Sequence, residues 1–227
     1  MKSLALLEVN YERALQHVAH ARHITPGGHE NVARLLEQQT HHAPTDHSRL
    51  LVLSGLSGVG KKTTGKALEK HGYRKMCNVF ARPMRPYETE ADGVFVSKQQ
   101  FDAWDKNDLF VTTTITNGSH HGLLRRDFLE ALEPDAPPHW TDKSVHSVKK
   151  LLPFLQHYHL YYLLPPSFDE IARRIAVREQ NNPVMSETAI VTRFEHELED
   201  LRLSADLPYS YLVSDSVERI LPLLIKA

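Results

Sequence analysis

Residues 50–64 read Leu-Leu-Val-Leu-Ser-Gly-Leu-Ser-Gly-Val-Gly-Lys-Lys-Thr-Thr, and this stretch decides the fold. Its apolar start predicts a buried strand, and three glycines and Lys61 follow before a segment that can begin a helix. Glycines leave room for an anion against inward-pointing backbone N–H groups, and the helix N-terminus adds a positive dipole end. The stretch therefore predicts a phosphate-binding P-loop. The alternative is a glycine-rich turn that happens to end in a lysine.

One position departs from the simple motif, which places Ser or Thr directly after the lysine to hold Mg²⁺. Here that residue is Lys62, and Thr63 and Thr64 follow it. The phosphate site is therefore better defined by the sequence than the metal site.

Composition excludes several classes of protein. The chain has 227 residues, 41% hydrophobic and 24% charged, which is typical of a globular protein with one large domain. A formal net charge of −1 argues against binding nucleic acid with the whole surface. A single cysteine, Cys77, excludes an internal disulfide, and no segment approaches about 18 apolar residues, so we expect a cytoplasmic protein with no membrane partner. The 15 histidines show no metal-ligand spacing, and no metal site is predicted from them.

The first 48 residues predict a helical extension. Apolar residues spaced three to four apart indicate a helix over residues 3–23, and a second helix is expected over residues 29–39, before a polar linker. These helices would either dock on the main domain or form a homo-oligomer by pairing with another subunit.

Strands alternate with helices in the remainder, residues 49–227. Strands are expected over residues 76–80, 94–97, 109–116, 159–164 and 209–213; helices over 61–70, 123–132, 145–155, from 168, 186–201 and 217–225. This alternation predicts an α/β fold with a mainly parallel sheet, in which the P-loop lies at the carboxyl end of its strand, where ligands bind.

A proline-stiffened loop carries two arginines after the second predicted strand. Residues 80–88 read Phe-Ala-Arg-Pro-Met-Arg-Pro-Tyr-Glu, with Arg82 and Arg85 three apart. Prolines keep the loop extended, and guanidinium groups suit a bidentate grip on phosphate. From the residues alone, a phosphate grip and a solvated basic loop are equal alternatives.

The order of these motifs resembles the guanylate kinase family. That family shows Gly-x-Ser-Gly-x-Gly-Lys, then Thr-Thr-Arg-x-x-Arg-x-Gly-Glu, then Tyr-x-Phe-Val-Ser; this chain has matching pieces at residues 55–61, 82–88 and 95–97. The resemblance runs from about residue 50 to the C-terminus. It implies a P-loop NTPase-type parallel sheet flanked by helices, a small mixed-β acceptor-binding subdomain at about residues 78–122, and a helical lid at about residues 174–193.

The resemblance also implies an activity and roles for individual residues. It implies an ATP- and Mg²⁺-dependent kinase that phosphorylates a nucleoside monophosphate, with catalytic roles for Lys61, Arg82, Arg174, Arg178 and Arg193. The ATP phosphates would be bound by Gly55, Ser57, Gly58, Val59, Gly60, Lys61, Lys62 and Thr63. The acceptor would be bound by Arg82, Arg85, Glu88, Thr112, His121 and Asp142. Arg82 and Arg85 would hold its phosphate, and Glu88 would face its base.

The departures from the family fall mainly on the residues that would bind the base of the acceptor. Phe80-Ala81 replaces the Thr-Thr pair, Thr112 replaces a glutamate, and His121-Gly122-Leu123 replaces Tyr-Gly-Ser/Thr. The apolar strand that should end in an aspartate falls on residues 138–142, which are hardly apolar, so Asp142 alone could take the acidic role. GMP or dGMP, another nucleotide, and a phosphosugar therefore remain alternative acceptors. A non-catalytic guanylate-kinase-like binding module and a general P-loop hydrolase are the alternative functions.

Overall fold

The computed structural model describes residues 2–26, 31–41, 50–86, 88–116, 118–133, 135–155, 157–180 and 187–225. The helices are α1 (Lys2–Ala21), α2 (Val32–Thr40), α3 (Lys61–Glu69), α4 (Lys98–Lys106), α5 (Arg125–Leu132), α6 (Val145–Leu151), α7 (Phe168–Gln180), α8 (Glu187–Leu203) and α9 (Val217–Leu224). The strands are β1 (Leu50–Gly55), β2 (Arg74–Lys75), β3 (Asn78–Phe80), β4 (Val94–Phe95), β5 (Phe110–Thr116), β6 (Ser119–Leu124), β7 (His139–Asp142), β8 (Tyr158–Leu164) and β9 (Ser210–Val213).

The strands form two sheets. The larger sheet has the order β2-β7-β1-β8-β9, and all its pairs are parallel. The smaller sheet has the order β4-β3-β6-β5 and mixes one parallel pair with two antiparallel pairs. The predicted α/β fold, with a parallel core and a mixed-β subdomain, is confirmed. Within the described ranges, no helix is long and apolar enough to cross a membrane.

The strand β7 was missed by the sequence prediction because its residues look polar. It pairs in parallel with β1, and Leu53 lies opposite Asp142. Trp140 of this strand is buried, and its indole ring packs directly against Gly65 of α3. A Cβ atom on Gly65 would lie 1.9 Å from that ring, so no larger residue fits there. A glycine inside α3 thus gives a bulky residue of β7 its place in the core.

Two further elements of the smaller sheet region were missed. The helix α4 begins after Ser97, whose side chain accepts a hydrogen bond from the Gln100 N–H, and β6 pairs with both β3 and β5. The sequence predicts a helix over residues 123–132. Residues 123 and 124 instead end β6, and the helix α5 begins at Arg125.

The N-terminal helices pack on the main core. Leu7, Tyr11, Leu15 and Val18 of α1 are buried in the same apolar cluster as β1 and β8. Docking of these helices on the main domain is therefore observed, and pairing with a second subunit stays a prediction.

The helix α2 covers the β9 edge of the parallel sheet. The N–H of Val213 donates to Glu37 Oε1 at 2.8 Å, and the N–H of Tyr211 donates to Thr40 Oγ1 at 2.9 Å. Edge strands present unpaired backbone groups, and two buried side chains of α2 satisfy those of β9.

Candidate active site

A cavity of about 700 Å³ lies at the carboxyl end of β1, between the two sheets. The predicted phosphate-binding loop and the predicted arginine loop face each other across it. Its lining includes Gly55, Ser57, Lys61, Asn78, Phe80, Arg82, Arg85, Glu88, Thr112, Thr114, His121, Leu123, Asp142, Lys143, Ser147, His196, Glu197 and Asp200.

The P-loop adopts the conformation that its glycines allow. Gly58 and Gly60 have φ of 80° and 106°, and a Cβ on Gly55 would lie 2.4 Å from the carbonyl oxygen of Leu163. The side chain of Lys61 donates from Nζ to the carbonyls of Gly55 at 2.6 Å and Leu56 at 2.9 Å. The lysine thus lies along its own loop, with its charge where a phosphate would bind.

The residues after Lys61 do not supply the hydroxyl that the simple motif uses for Mg²⁺. The Lys62 ammonium pairs with Asp92 at 2.6 Å, Thr63 is exposed, and Thr64 is buried in α3. The Thr64 hydroxyl has no hydrogen-bond partner among the described residues, but its burial keeps it from the cavity. The local residues therefore do not fit a hydroxyl ligand for Mg²⁺.

The arginine loop is held by Glu88. Both oxygens of this carboxylate accept from Arg82, at 2.6 and 2.7 Å, and Oε2 also accepts from the Arg85 N–H at 2.9 Å. Burial raises the pKa of Glu88, but the hydrogen bonds from Arg82 and Arg85 outweigh it and keep the pKa below its usual value. The carboxylate expected to face the acceptor base is thus occupied in fixing the two arginines.

Aromatic rings complete the support of Arg82. Its guanidinium lies 4.9 Å from the ring centre of Phe80 and 5.2 Å from that of Phe95. A phenylalanine in place of the family's threonine therefore serves as a stacking platform.

The wall between the two loops carries the remaining predicted acceptor residues. Thr112 on β5 and His121 on β6 line it, with Asp142 at the end of β7. Burial, with the nearby charges of Lys143, Arg82 and Arg85, lowers the pKa of His121 to about 4. The imidazole is therefore neutral at pH 7.

Two wall residues were missed by the sequence prediction. Asn78 donates from Nδ2 to Asp142 Oδ1 at 3.1 Å, and its Oδ1 accepts a hydrogen bond from the ammonium of Lys143. Burial lowers the pKa of Lys143 to about 8, although Asp142 acts in the opposite direction. The sequence signal for Lys143 is its position directly after Asp142. That position becomes informative only once residues 139–142 are known to form a strand beside β1.

The helix α7, which contains the start of the predicted lid, places one predicted arginine at the P-loop. Arg174 donates to the carbonyls of Val59 at 3.3 Å and Ser214 at 3.4 Å, and its Nε donates to Glu170 at 2.7 Å. The side chains of Arg178 and Arg193 lie outside the described residues.

The helix α8 adds acidic groups that the sequence prediction did not include. The carboxylate of Glu197 accepts a hydrogen bond from the P-loop N–H of Ser57, and Asp200 Oδ1 lies 2.8 Å from His146 Nδ1. Nothing in the local sequence marks these residues, because the long connection through α7 and α8 brings them to the cavity.

The fold and the cavity define a P-loop α/β protein of the nucleotide-kinase class, with a phosphate loop on one sheet and an arginine loop on the other. Comparisons with known proteins give its family. The chain is 30% identical over 195 residues to a guanylate kinase of Gloeobacter violaceus, covering 79% of this chain and 90% of that protein. It is 31% identical to the guanylate kinase of Chlorobium luteolum, covering 75% and 85%. The chain therefore belongs to the guanylate kinase family.

A solved structure agrees on the fold. A crystal structure of guanylate kinase from Anaplasma phagocytophilum superimposes with a TM-score of 0.60 at 19% identity, covering 76% of this chain and 79% of that one. No family model matches the sequence.

Proposed function

We propose that the protein transfers the γ-phosphoryl group of ATP to a nucleoside monophosphate, with GMP or dGMP, or a related phosphorylated acceptor, as substrate. The observation that carries this proposal is one cavity that holds Lys61 and the P-loop at one side and Arg82 and Arg85 at the other. Phosphoryl transfer needs two phosphates aligned and their charge spread over fixed cations, rather than a covalent partner. Guanylate kinase relatives support the same reading.

Each side of the cavity has a proposed role. The P-loop N–H groups from Gly55 to Thr63 and the Lys61 ammonium would hold the ATP phosphates; any contact from Lys62 would come from its backbone, because its side chain pairs with Asp92. Arg85 and Arg82 would bind the acceptor phosphate, and Arg174, which contacts the P-loop carbonyl of Val59, would neutralise charge on the transferring group, with Arg178 and Arg193.

Mg²⁺ would accompany ATP and neutralise its phosphates, and we assign it no ligand from this chain. Mg²⁺ commonly keeps several waters and binds through substrate phosphates, so a missing hydroxyl after Lys61 does not count against ATP as the donor.

The proposed division of the chain follows from the same roles. Residues 78–122 would form the acceptor-binding insertion, and residues 174–193 the lid. The strands β3 to β6 support the first assignment because they form their own sheet over a separate apolar cluster of Val79, Phe101 and Phe110. Residues 1–48 would form an extension of the kinase domain that braces the β9 edge.

The test is ADP formation from ATP and Mg²⁺ with a panel of nucleoside monophosphates and pentose phosphates. We expect turnover with at least one acceptor, and its loss in Lys61→Ala. Lys66→Ala is the matched control, since Lys66 is exposed on the same helix. ATP binding without turnover on any acceptor would favour a non-catalytic binding module, and ADP formation that no acceptor increases would favour a hydrolase.

A further inference from the structure

The cavity wall carries a lysine for which the proposed chemistry has no role. Lys143 follows β7 directly, and its backbone is fixed to the P-loop strand: its N–H donates to the carbonyl of Leu53 at 3.0 Å, and its carbonyl accepts from Ser54 Oγ at 2.7 Å. Its ammonium reaches Asn78 on the other sheet. Lys143 is thus held between the phosphate loop and the mixed sheet, with one hydrogen bond to Asn78 and further donors to offer.

The carboxylates around the same cavity are already engaged. Among the described lining residues, Glu88 binds Arg82, Asp142 accepts from Asn78, Glu197 accepts from Ser57, and Asp200 pairs with His146. A base entering this space meets a cationic donor in Lys143, whereas each of these four carboxylates already accepts a hydrogen bond from another group.

The position of the base follows from the two phosphate sites. With its phosphate on Arg82 and Arg85, facing Lys61, an acceptor would have its remaining atoms along the wall of β5, β6 and the start of α6. Thr112, His121, Leu123 and Ser147 line that wall, next to Lys143.

We propose that Lys143 is a specificity-determining residue for the acceptor base, whose ammonium donates to a ring carbonyl. The inference rests on the proposed kinase function. It predicts that 6-oxopurine monophosphates bind in preference to 6-aminopurine monophosphates, because an ammonium pairs with the O6 acceptor and opposes an amino donor. It also predicts that the 2-amino group of guanine contributes little, so IMP and GMP bind alike.

The experiment measures equilibrium binding of GMP, IMP and AMP to the full chain, alongside turnover. We expect Kd values for GMP and IMP within about fivefold of each other and AMP weaker by about tenfold or more, since one hydrogen bond to a charged group is at stake. In Lys143→Met, we expect GMP and IMP to weaken by about tenfold and AMP to change by less than about twofold. Lys149→Met is the control, because Lys149 is exposed on α6 and pairs with Asp206 at 3.7 Å.

Different results would contradict the role of Lys143 and the proposed kinase function. If GMP binds more than about thirtyfold tighter than IMP, the protein recognises the 2-amino group. If Lys143→Met weakens the binding of all three nucleotides equally, Lys143 does not discriminate between bases. Either result overturns the inference. Binding with the expected preference but without ADP formation would reject the kinase function and leave the inference standing. No binding of any monophosphate would overturn it.

A second measurement needs no variant. The titratable and charged groups that face Lys143 are Asp142, Cys77, Lys75 and His121. Burial raises the pKa of Cys77, and that of His121 is about 4, so neither changes charge between pH 7.0 and 8.5. Lys143, with a pKa of about 8, loses most of its charge in this interval. The GMP-to-AMP affinity ratio should fall as the pH rises over this interval, and a ratio that rises instead would overturn the inference.

Discussion

The backbone N–H of Ser57 in the P-loop donates a hydrogen bond to the Glu197 carboxylate on α8. The N–H groups of such a loop are the donors that hold a phosphate, so the carboxylate stands at an anion site. In this structure α8 is therefore tied to the P-loop by a group that an incoming phosphate would displace.

Removing this negative charge should strengthen donor binding. Glu197→Gln keeps the size of the side chain, and we expect the Kd for ATP to fall by about threefold to tenfold, because a phosphate no longer competes with or is repelled by a carboxylate. Calorimetric titration with ATP measures it, and Glu199→Gln, on the exposed side of the same helix, should leave the Kd unchanged. Weaker ATP binding in Glu197→Gln would mean that the carboxylate assists the donor site.

Arg85 tests the acceptor side. Its side chain lies 3.8 Å from Glu88, farther than Arg82, whose two contacts to the same carboxylate are under 3 Å. We expect Arg85→Ala to raise the acceptor KM or lower kcat by about tenfold or more, since a charged phosphate contact is worth about 1.5–3 kcal/mol. Steady-state kinetics at saturating ATP would measure this change.

The matched control for Arg85 is Arg126→Ala, an exposed arginine on α5. Unchanged acceptor kinetics in Arg85→Ala would remove Arg85 from the phosphate site. Arg82→Ala is a poorer probe because it also leaves Glu88 without its main partner and removes the cation stacked on Phe80 and Phe95.

His121 should make the stability of the fold depend on pH. Its pKa is about 4 in the folded protein and about 6.5 when unfolded, so between these values the unfolded state binds more protons and stability rises with pH. On lowering the pH from 7 to 5, this group should cost about 1–2 kcal/mol of the free energy of unfolding.

Denaturant unfolding at both pH values, compared with His121→Gln, isolates this contribution. The variant should lose less stability than the parent over the same interval. An equal loss in both proteins would assign the pH dependence to other groups.

Glu37 tests the bracing of the sheet edge. It accepts from the buried Val213 N–H and pairs with Arg34 at 3.0 Å and with Arg219. Glu37→Ala should lower the free energy of unfolding by about 2–4 kcal/mol, because a buried N–H loses its acceptor and two arginines keep only Asp215 as a carboxylate partner among the described residues. Thermal unfolding measures the effect, with exposed Gln38→Ala as control. A loss below about 0.5 kcal/mol would show that water replaces the carboxylate.

The cavity wall formed by β6 and β7 shows what sequence patterns miss. The sequence pattern of residues 138–142 is too polar for a core strand. The strand β7 is nevertheless buried, because β1 and β2 flank it and because Gly65, far away in sequence, makes room for Trp140. Periodicity measures local hydrophobicity and cannot register a partner on another element. The strand β6 was missed for a similar reason, since its residues Ser119 to Gly122 are polar or small and gain their place by pairing on both sides.

The sequence by itself determined the P-loop half of this protein. The P-loop is contiguous, and its function needs backbone N–H groups, glycine conformations and one lysine, all of which lie within a few residues of each other. The same holds for the arginine loop, which prolines stiffen locally. Only the tertiary structure decided how these parts are used: that Glu88 binds Arg82, that Glu197 reaches the Ser57 N–H, and that Lys143 lies beside Asn78. Two of these contacts join residues 65 or more positions apart. No local pattern encodes which donor will bind which acceptor when the two meet only after the chain has folded.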